Sequence, residues 1–349
     1  LKSLKYSLYL LLPLLAFFGF NSEGILAFTP LLFAFGIIPL CELLFTADTS
    51  NLRDDEVEKA LHNPLYDLLV YIALPIQYFT LYYFCFSIST TDNASIAKLL
   101  GCIFSMGIMC AVFGINVAHE LGHRSKWYEK AMAKALLLTS LYMHFYIEHN
   151  KGHHKNVGTY NDPATARMGE TLYAFWIRTI TYTYLSAWKI EADRLKRKKR
   201  SVVSPQNEML QFQCLQMGLV LLIAWYFSVF TALCFIAAAL IGILLLETVN
   251  YIEHYGLKRK KVNEHRYENA QPQHSWNSNH ILGRLMLFEL SRHSDHHYIP
   301  SKKYQILNHY DQSPQMPTGY PGMMLLATIP PLWFALMHKQ KQVQIQNAT

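Results

Sequence analysis

Nine of the sixteen histidines in this chain fall into four tight groups. His119 and His123 stand in HELGH; His149, His153 and His154 in HNKGHH; His254 in NYIEHYG; and His293, His296 and His297 in RHSDHH. Neutral imidazole is the commonest protein ligand for a metal ion, and burying one is costly unless its ring nitrogens find partners. On a helix His119 and His123 lie one turn apart and share a face, as do His149 and His153. His154 is rotated by about 100° from His153 and would reach toward a second ion. His293 with His296 and His297 repeats the arrangement. A tetrahedral site takes four ligands, so nine imidazoles predict two ions with coordination positions left open. Imidazole suits zinc, copper, iron and nickel alike, so spacing does not name the metal. His62, His265, His309 and His338 read as ordinary solvated side chains, while His144, His274 and His280 lie near the clusters and stay open.

Each group also contains or adjoins a carboxylate: Glu120, Glu148, Glu253 and Asp295. Such a neighbour is expected to accept the far ring N–H, which holds the tautomer and raises ligand basicity. Asn116, Asn250 and Asn277 are candidates for the same part.

The elements that carry these groups are apolar. Of 349 residues, 52% are hydrophobic and 16% charged, against roughly 25% charged in soluble domains. The apolar residues come in blocks, which marks a membrane protein. We read one all-α integral-membrane domain over 1–349, with spans at 5–21, 24–45, 65–88, 96–118, 209–227 and 230–250. Pro13, Pro30, Pro39 and Pro75 fall within spans, where neighbouring helices can re-satisfy the backbone. The opening block lacks a small-residue cleavage site and reads as a span rather than a secretory signal. The connections NSEG, STTDNAS and the turn near 228 contain no Lys or Arg, whereas RLKRKKR (194–200) and LKRKK (257–261) lie on the other side. By the positive-inside rule both termini are cytoplasmic, and so is a helical cap made of 119–208 and 251–349. All four histidine groups then fall on one face, a placement that used no histidine. Segments 131–147, 171–190 and 322–337 read as interfacial helices, the last broken by its Pro pair, and 338–349 as disordered. Six cysteines sit in the apolar blocks as small hydrophobes, with no CxxC. The basic runs lack stacking aromatics, which argues against nucleic acid.

HELGHR, EHNKGHH, NYIEHYG and RHSDHH resemble the signature boxes of the membrane-bound alkane 1-monooxygenases, and HSWNSNH (274–280) resembles a further stretch of that family. The three-box pattern is shared with membrane fatty-acid desaturases and hydroxylases and with xylene monooxygenases; NYIEHYG favours alkane hydroxylation. The resemblance implies six transmembrane helices in the inner (cytoplasmic) membrane. It also implies a non-haem di-iron centre, two Fe ions ligated by His119, His123, His149, His153, His154, His254, His293, His296 and His297. The implied reaction converts medium-chain n-alkanes to 1-alkanols with O₂ and electrons from rubredoxin. No GxGxxG or paired CxxC is present, so the rubredoxin and its reductase are expected as separate chains. The basic residues of 194–200 and 258–261 would serve as landing charges for such a carrier.

An alkane offers no polar handle, so a narrow apolar channel entered from the bilayer is expected beneath the metals. Phe, Leu and Ile of the first four spans would line it, with Ala34 or Gly36 setting its depth. Two rival classes stand against this reading. A divalent-metal transporter needs ionisable residues along the span centres, and these are nearly uncharged. A metal-storing membrane protein would bind metal but consume no O₂.

Overall fold

The computed structural model describes residues 2–90, 95–264 and 266–347; His265 and the middle of STTDNAS lie outside them. Helices α1 (Leu4–Phe20), α2 (Gly24–Leu44), α3 (Asp54–His62), α4 (Pro64–Thr90) and α5 (Ile96–Gly122) form the first half. Then come α6 (Trp127–Leu138), α7 (145–156), α8 (Leu172–Arg197), α9 (Glu208–Tyr226) and α10 (Val229–His254). The C-terminal part holds α11 (Ile281–Met286), α12 (His293–Tyr298), α13 (Tyr320–Ala327) and α14 (Pro330–Asn347). A small antiparallel pair, β1 (Lys261–Asn263) and β2 (Arg266–Tyr267), is an exception to the all-helical expectation. Among the described residues, α2, α4, α5, α9 and α10 are long and apolar enough to cross a membrane, and α1 is shorter. Large apolar side chains such as Leu14, Leu43, Leu221 and Trp225 point outward from these helices. A surface of this kind has lipid as its solvent, and the protein is a multi-pass membrane protein.

Two span helices run past their expected ends. Helix α5 continues to Gly122 rather than 118, and α10 to His254 rather than 250, so His119 and His254 ride on the spans themselves. The two helices cross closely because each is small where they meet. A Cβ on Gly107 would lie 2.5 Å from Ile241, and one on Gly242 would lie 2.6 Å from the Cys110 Cβ. Small residues at a crossing let membrane helices approach, and here the crossing brings two histidine boxes together.

Among the described residues three π-turns interrupt the helices: 33–37, 110–116 and 149–153. In the first, the Ile38 amide bonds back to the Phe33 carbonyl. Pro39 follows and has no N–H to donate, so the regular ladder cannot continue through it. In the second, the Ser140 hydroxyl donates to the Cys110 carbonyl at 3.0 Å, and an inserted side chain of this kind is a recognised cause of a helix irregularity. Gly114 is required there, since a Cβ would fall 2.0 Å from the Ser140 Oγ.

The cap differs from expectation in four places. Segment 131–147 is two helices, α6 and the start of α7, with a turn between them at 139–144 where Leu141 takes a positive φ of 51°. Segment 171–190 extends to Arg197 in one helix, begun by the Thr171 side chain accepting from the Ala174 amide. The Pro330–Pro331 pair starts α14 rather than simply breaking a helix, since proline suits a first turn where no N–H is needed. Helix α14 then runs through most of the tail expected to be disordered. Cys85, Cys102, Cys110 and Cys234 are buried as expected, whereas Cys214 is exposed on α9.

Candidate metal centre

The nine histidines of the four boxes converge at one end of the helix bundle as two adjoining groups. His119, His123, His149, His154 and His296 form one, and His153, His254, His293 and His297 the other; within each group the ligand atoms lie within 4.8 Å of one another. The first draws on α5, α7 and α12, the second on α7, α10 and α12. They share a wall, with the His154 and His297 rings 4.5 Å apart. In the five-membered group the Nε2 atoms run from His119 to His296 at 2.9 Å, His296 to His154 at 3.1 Å, and His154 to His149 and His149 to His123 at 3.0 Å each. In the four-membered group the steps are His153 to His297 at 3.2 Å, His297 to His293 at 2.9 Å and His293 to His254 at 3.1 Å.

These spacings suit a metal. Two nitrogens each about 2.1 Å from one ion and about 90° apart sit about 3.0 Å from each other. Bare lone pairs packed this tightly would repel, and a cation between them removes the repulsion. Among the described residues the other histidines join neither group: His309 bonds Asn279, His274 pairs with Glu268, and His280 meets Ser278.

Sharing of the middle box departs from α-helical expectation. His149 was expected to pair with His153, yet it pairs with His154 while His153 turns to the other group. The cause is the π-turn over 149–153, where the His154 amide bonds back to the His149 carbonyl. The wider turn swings the fifth residue onto the face that the fourth would occupy in an α-helix. His293 and His297 do share a group, as one α-turn requires, and His296 faces the other.

Of the four box carboxylates only Glu253 reaches a histidine. Its Oε2 lies 3.2 Å from the His293 Nε2, on the side facing the cluster, and its Oε1 accepts from the Tyr320 hydroxyl at 2.8 Å. Glu120 instead pairs with Arg124 at 3.0 Å, Asp295 with Lys302 at 2.9 Å, and Glu148 faces Ser186 at 3.4 Å. Neighbours along a helix point about 100° apart, so a carboxylate next to a ligand is turned away from it. Asn116 donates to the Leu287 carbonyl, Asn250 to Glu247, and Asn277 to the Ser294 hydroxyl. Asn116 and Asn277 brace the backbone around the site and Asn250 holds a carboxylate, so these amides serve the scaffold rather than the rings.

Sequence reading missed Asp162. Its Oδ2 lies 2.9 Å from the His153 Nδ1 and accepts from the Thr165 hydroxyl at 2.6 Å. Burial pushes this carboxyl up, but the His153 contact and the Thr165 bond outweigh it and leave it below its usual range. An acid before Pro163 looks like any turn residue, so nothing in the local pattern marks it. By keeping a proton on the His153 Nδ1, Asp162 leaves the Nε2 lone pair free. Asp162→Asn should therefore weaken metal binding about 10- to 100-fold, measurable by competition with a chelator. Unchanged affinity would remove this role.

A second unseen support precedes the last box. Phe288 and Glu289 both take positive φ, 52° and 57°, each costing about 1–3 kcal/mol. Arg284 holds Glu289 at 2.6 Å, and the Tyr6 hydroxyl donates to it at 2.6 Å. This clamp aims the chain into α12 and its three histidines.

Burial drives the His123 imidazole down to about 3 and holds His149, His154, His293, His296 and His297 well below their usual value, with neighbouring rings adding to the effect. The rings are thus neutral and ready to ligate. Below about pH 6.5 the unfolded chain takes up protons that the folded chain refuses, so stability falls as pH drops. The chelated protein should lose roughly 5 °C or more of unfolding midpoint between about pH 7 and pH 5.5. A flat midpoint would contradict the burial.

An apolar cavity of about 90 Å³ lies below the histidines. Ala34 lines it, and Gly36 does not; a Cβ on Gly36 would meet nothing within 4 Å. Its walls are not confined to the first four spans, because α10 contributes Leu245, Leu246 and Val249, and the cap contributes residues such as Met286 and Met324.

The chain is similar in sequence to known proteins. The fatty acid desaturase family model covers residues 94–338. An alkane 1-monooxygenase of Acinetobacter baylyi is 41% identical over 304 residues, covering 87% of this chain and 74% of that protein. Alkane 1-monooxygenase 1 of Pseudomonas aeruginosa is 39% identical over 345 residues, 97% of this chain and 90% of its own length. The chain belongs to the alkane 1-monooxygenase family. The xylene/toluene monooxygenase hydroxylase component XylM of Pseudomonas putida is more distant, at 31% over 280 residues. For a member of the alkane 1-monooxygenase family, a histidine-rich metal site above an apolar cavity is the arrangement its chemistry calls for.

Proposed function

We propose that this chain hydroxylates the terminal methyl group of medium-chain n-alkanes: RCH₃ + O₂ + 2 e⁻ + 2 H⁺ → RCH₂OH + H₂O. One observation carries the reading. Two helices that bear histidines, and the turn that leads into a third, also wall the apolar cavity: Asn116 lies three residues before His119, Val249 five before His254, and Leu290 three before His293. The ligand ends of α5, α10 and α12 therefore stand over a space that suits only an apolar chain.

The nine imidazoles would hold two iron ions, which when bound supply the O₂ activation and one-electron chemistry that side chains lack. The protein's own parts are binding, orientation and exclusion of water. Each buried CH₂ contributes about 0.8 kcal/mol of binding, and a chain seated in so small a cavity would present its terminus to the metal side. Glu253 faces the four-histidine group as its carboxylate, and Asp162 holds the His153 tautomer.

The whole chain acts as one membrane oxygenase domain with six spans. Helix α1 has seven 3₁₀ and ten α residues, which at about 2.0 and 1.5 Å per residue reach about 29 Å, the thickness of the hydrocarbon core. Lys98, at the end expected outside, is paired with Glu23, and the basic runs at the opposite end support a cytoplasmic orientation of that face in an inner membrane. Electrons come from rubredoxin at that face. Reconstituted protein given octane, ¹⁸O₂ and a rubredoxin–reductase chain should form ¹⁸O-labelled 1-octanol. Turnover of xylene or an acyl thioester in preference to octane would overturn the substrate assignment.

A further inference from the structure

The wall of the apolar cavity is broken at one place. Among the described residues only Asn116 brings a polar amide side chain to it. Along α5 the lining residues come in the order Ile108, Ala111, Val112 and Asn116, and His119 follows Asn116 within one turn. Asn116 therefore stands at the metal end of the wall. Val249 and Leu290, the lining residues that precede His254 and His293, offer no side-chain hydrogen bond there. The 110–116 π-turn is what aims Asn116 inward. In an α-helix it would be rotated about 140° from Ala111, whereas a π-turn carries the fifth residue back toward the same face, and both residues line the cavity.

The two ends of the amide are told apart by its partner. A carbonyl only accepts, so the atom 3.2 Å from the Leu287 carbonyl is the Asn116 Nδ2. The Oδ1 is the other end, and no described residue donates to it. We infer that the Asn116 Oδ1 accepts the hydrogen bond of the hydroxyl formed in the reaction, so that the cavity recognises a primary alcohol as well as an alkane; the inference rests on the alkane reading above. A hydroxyl made against an apolar wall loses its bonds to water with nothing in exchange. An acceptor at the reacting end removes that penalty for the alcohol and does nothing for the alkane, which has no O–H. Asn116 is thus a binding residue that separates product from substrate, as a site with a placed hydrogen-bonding group separates ligands that differ by one hydroxyl. The 1-alkanol competes with the alkane for the same cavity and must leave before the next turnover.

A bound metal ion also attracts a hydroxyl, so the first test uses the chelated protein in vesicles. 1-Octanol and 1-methoxyheptane have the same number of heavy atoms, but only the alcohol donates a hydrogen bond. At equal concentration in the bilayer, the wild-type protein should retain radiolabelled 1-octanol about tenfold better than the ether, a comparison that needs no variant to fold. Asn116→Leu keeps the bulk and removes the acceptor, and should make the two ligands equal. In the metal-loaded protein the same substitution should raise the inhibition constant of 1-octanol against octane about tenfold and move the KM for octane by much less. Equal retention of alcohol and ether by the wild type, or a preference that survives Asn116→Leu, overturns the inference. So does an equal loss of octane and 1-octanol binding in the variant, which would leave Asn116 a brace for Leu287 alone. An alcohol preference that depends on Asn116 in a protein that forms no 1-octanol from octane leaves the hydroxyl site standing and overturns the alkane reading instead.

Discussion

Replacing His254 with Ala should cut 1-octanol formation roughly a thousandfold or more and leave about one metal ion per chain instead of two. His254 is fully buried at the end of α10, its Nε2 3.1 Å from that of His293. The group it belongs to has four histidines against five in its neighbour. Loss of one ligand leaves three imidazoles and the nearby Glu253, too few to keep the ion against a chelator. The five-histidine group draws nothing from α10 and should keep its own. Glu120→Gln is the matched control. Glu120 lies one residue from His119 in HELGH but bonds Arg124, which also holds Asp67 and Glu129. That substitution should retain both ions and cost stability only. Metal analysis beside product quantification reads both variants, and full activity in His254→Ala would remove the dinuclear assignment.

The second large effect concerns the cavity. Ala34→Trp should lower octane turnover about 200-fold, because an indole at this wall displaces some four methylenes at about 0.8 kcal/mol each. Shorter alkanes should suffer less, so the product profile shifts toward them. Gly36→Leu, two residues along the same π-turn, should change neither rate nor profile, since that position opens onto space. Gas chromatography of a mixed C6–C12 alkane feed compares the pair in one experiment. An equal loss across chain lengths would show that Ala34 acts on the fold rather than on depth.

Much of this follows from residue types and spacing. The four histidine boxes, their placement at one end of the apolar helices and the expectation of more than one metal position can all be read from HELGH, HNKGHH, NYIEHYG and RHSDHH together with the apolar blocks between them. Hydropathy also located the long apolar helices α2, α4, α5, α9 and α10 to within a few residues, because about 20 apolar residues in a row have few other uses. The two span ends that ran long, at Gly122 and His254, carry polar ligand residues that a hydropathy window assigns to the cap.

Only the folded chain decided which histidine serves which group. His154 rather than His153 joins His149 because of a π-turn, and backbone hydrogen bonding of that kind leaves no mark on periodicity. It also decided that Asp162, nine residues from its partner, does the work expected of Glu120 or Glu148, and that Ala34 faces the cavity while Gly36 faces away. A sequence pattern records which side chains share a local repeat. Rotation of one helix against another, set by Gly107 and Gly242 at their crossing and by Ser140 against Cys110, determines what those side chains meet.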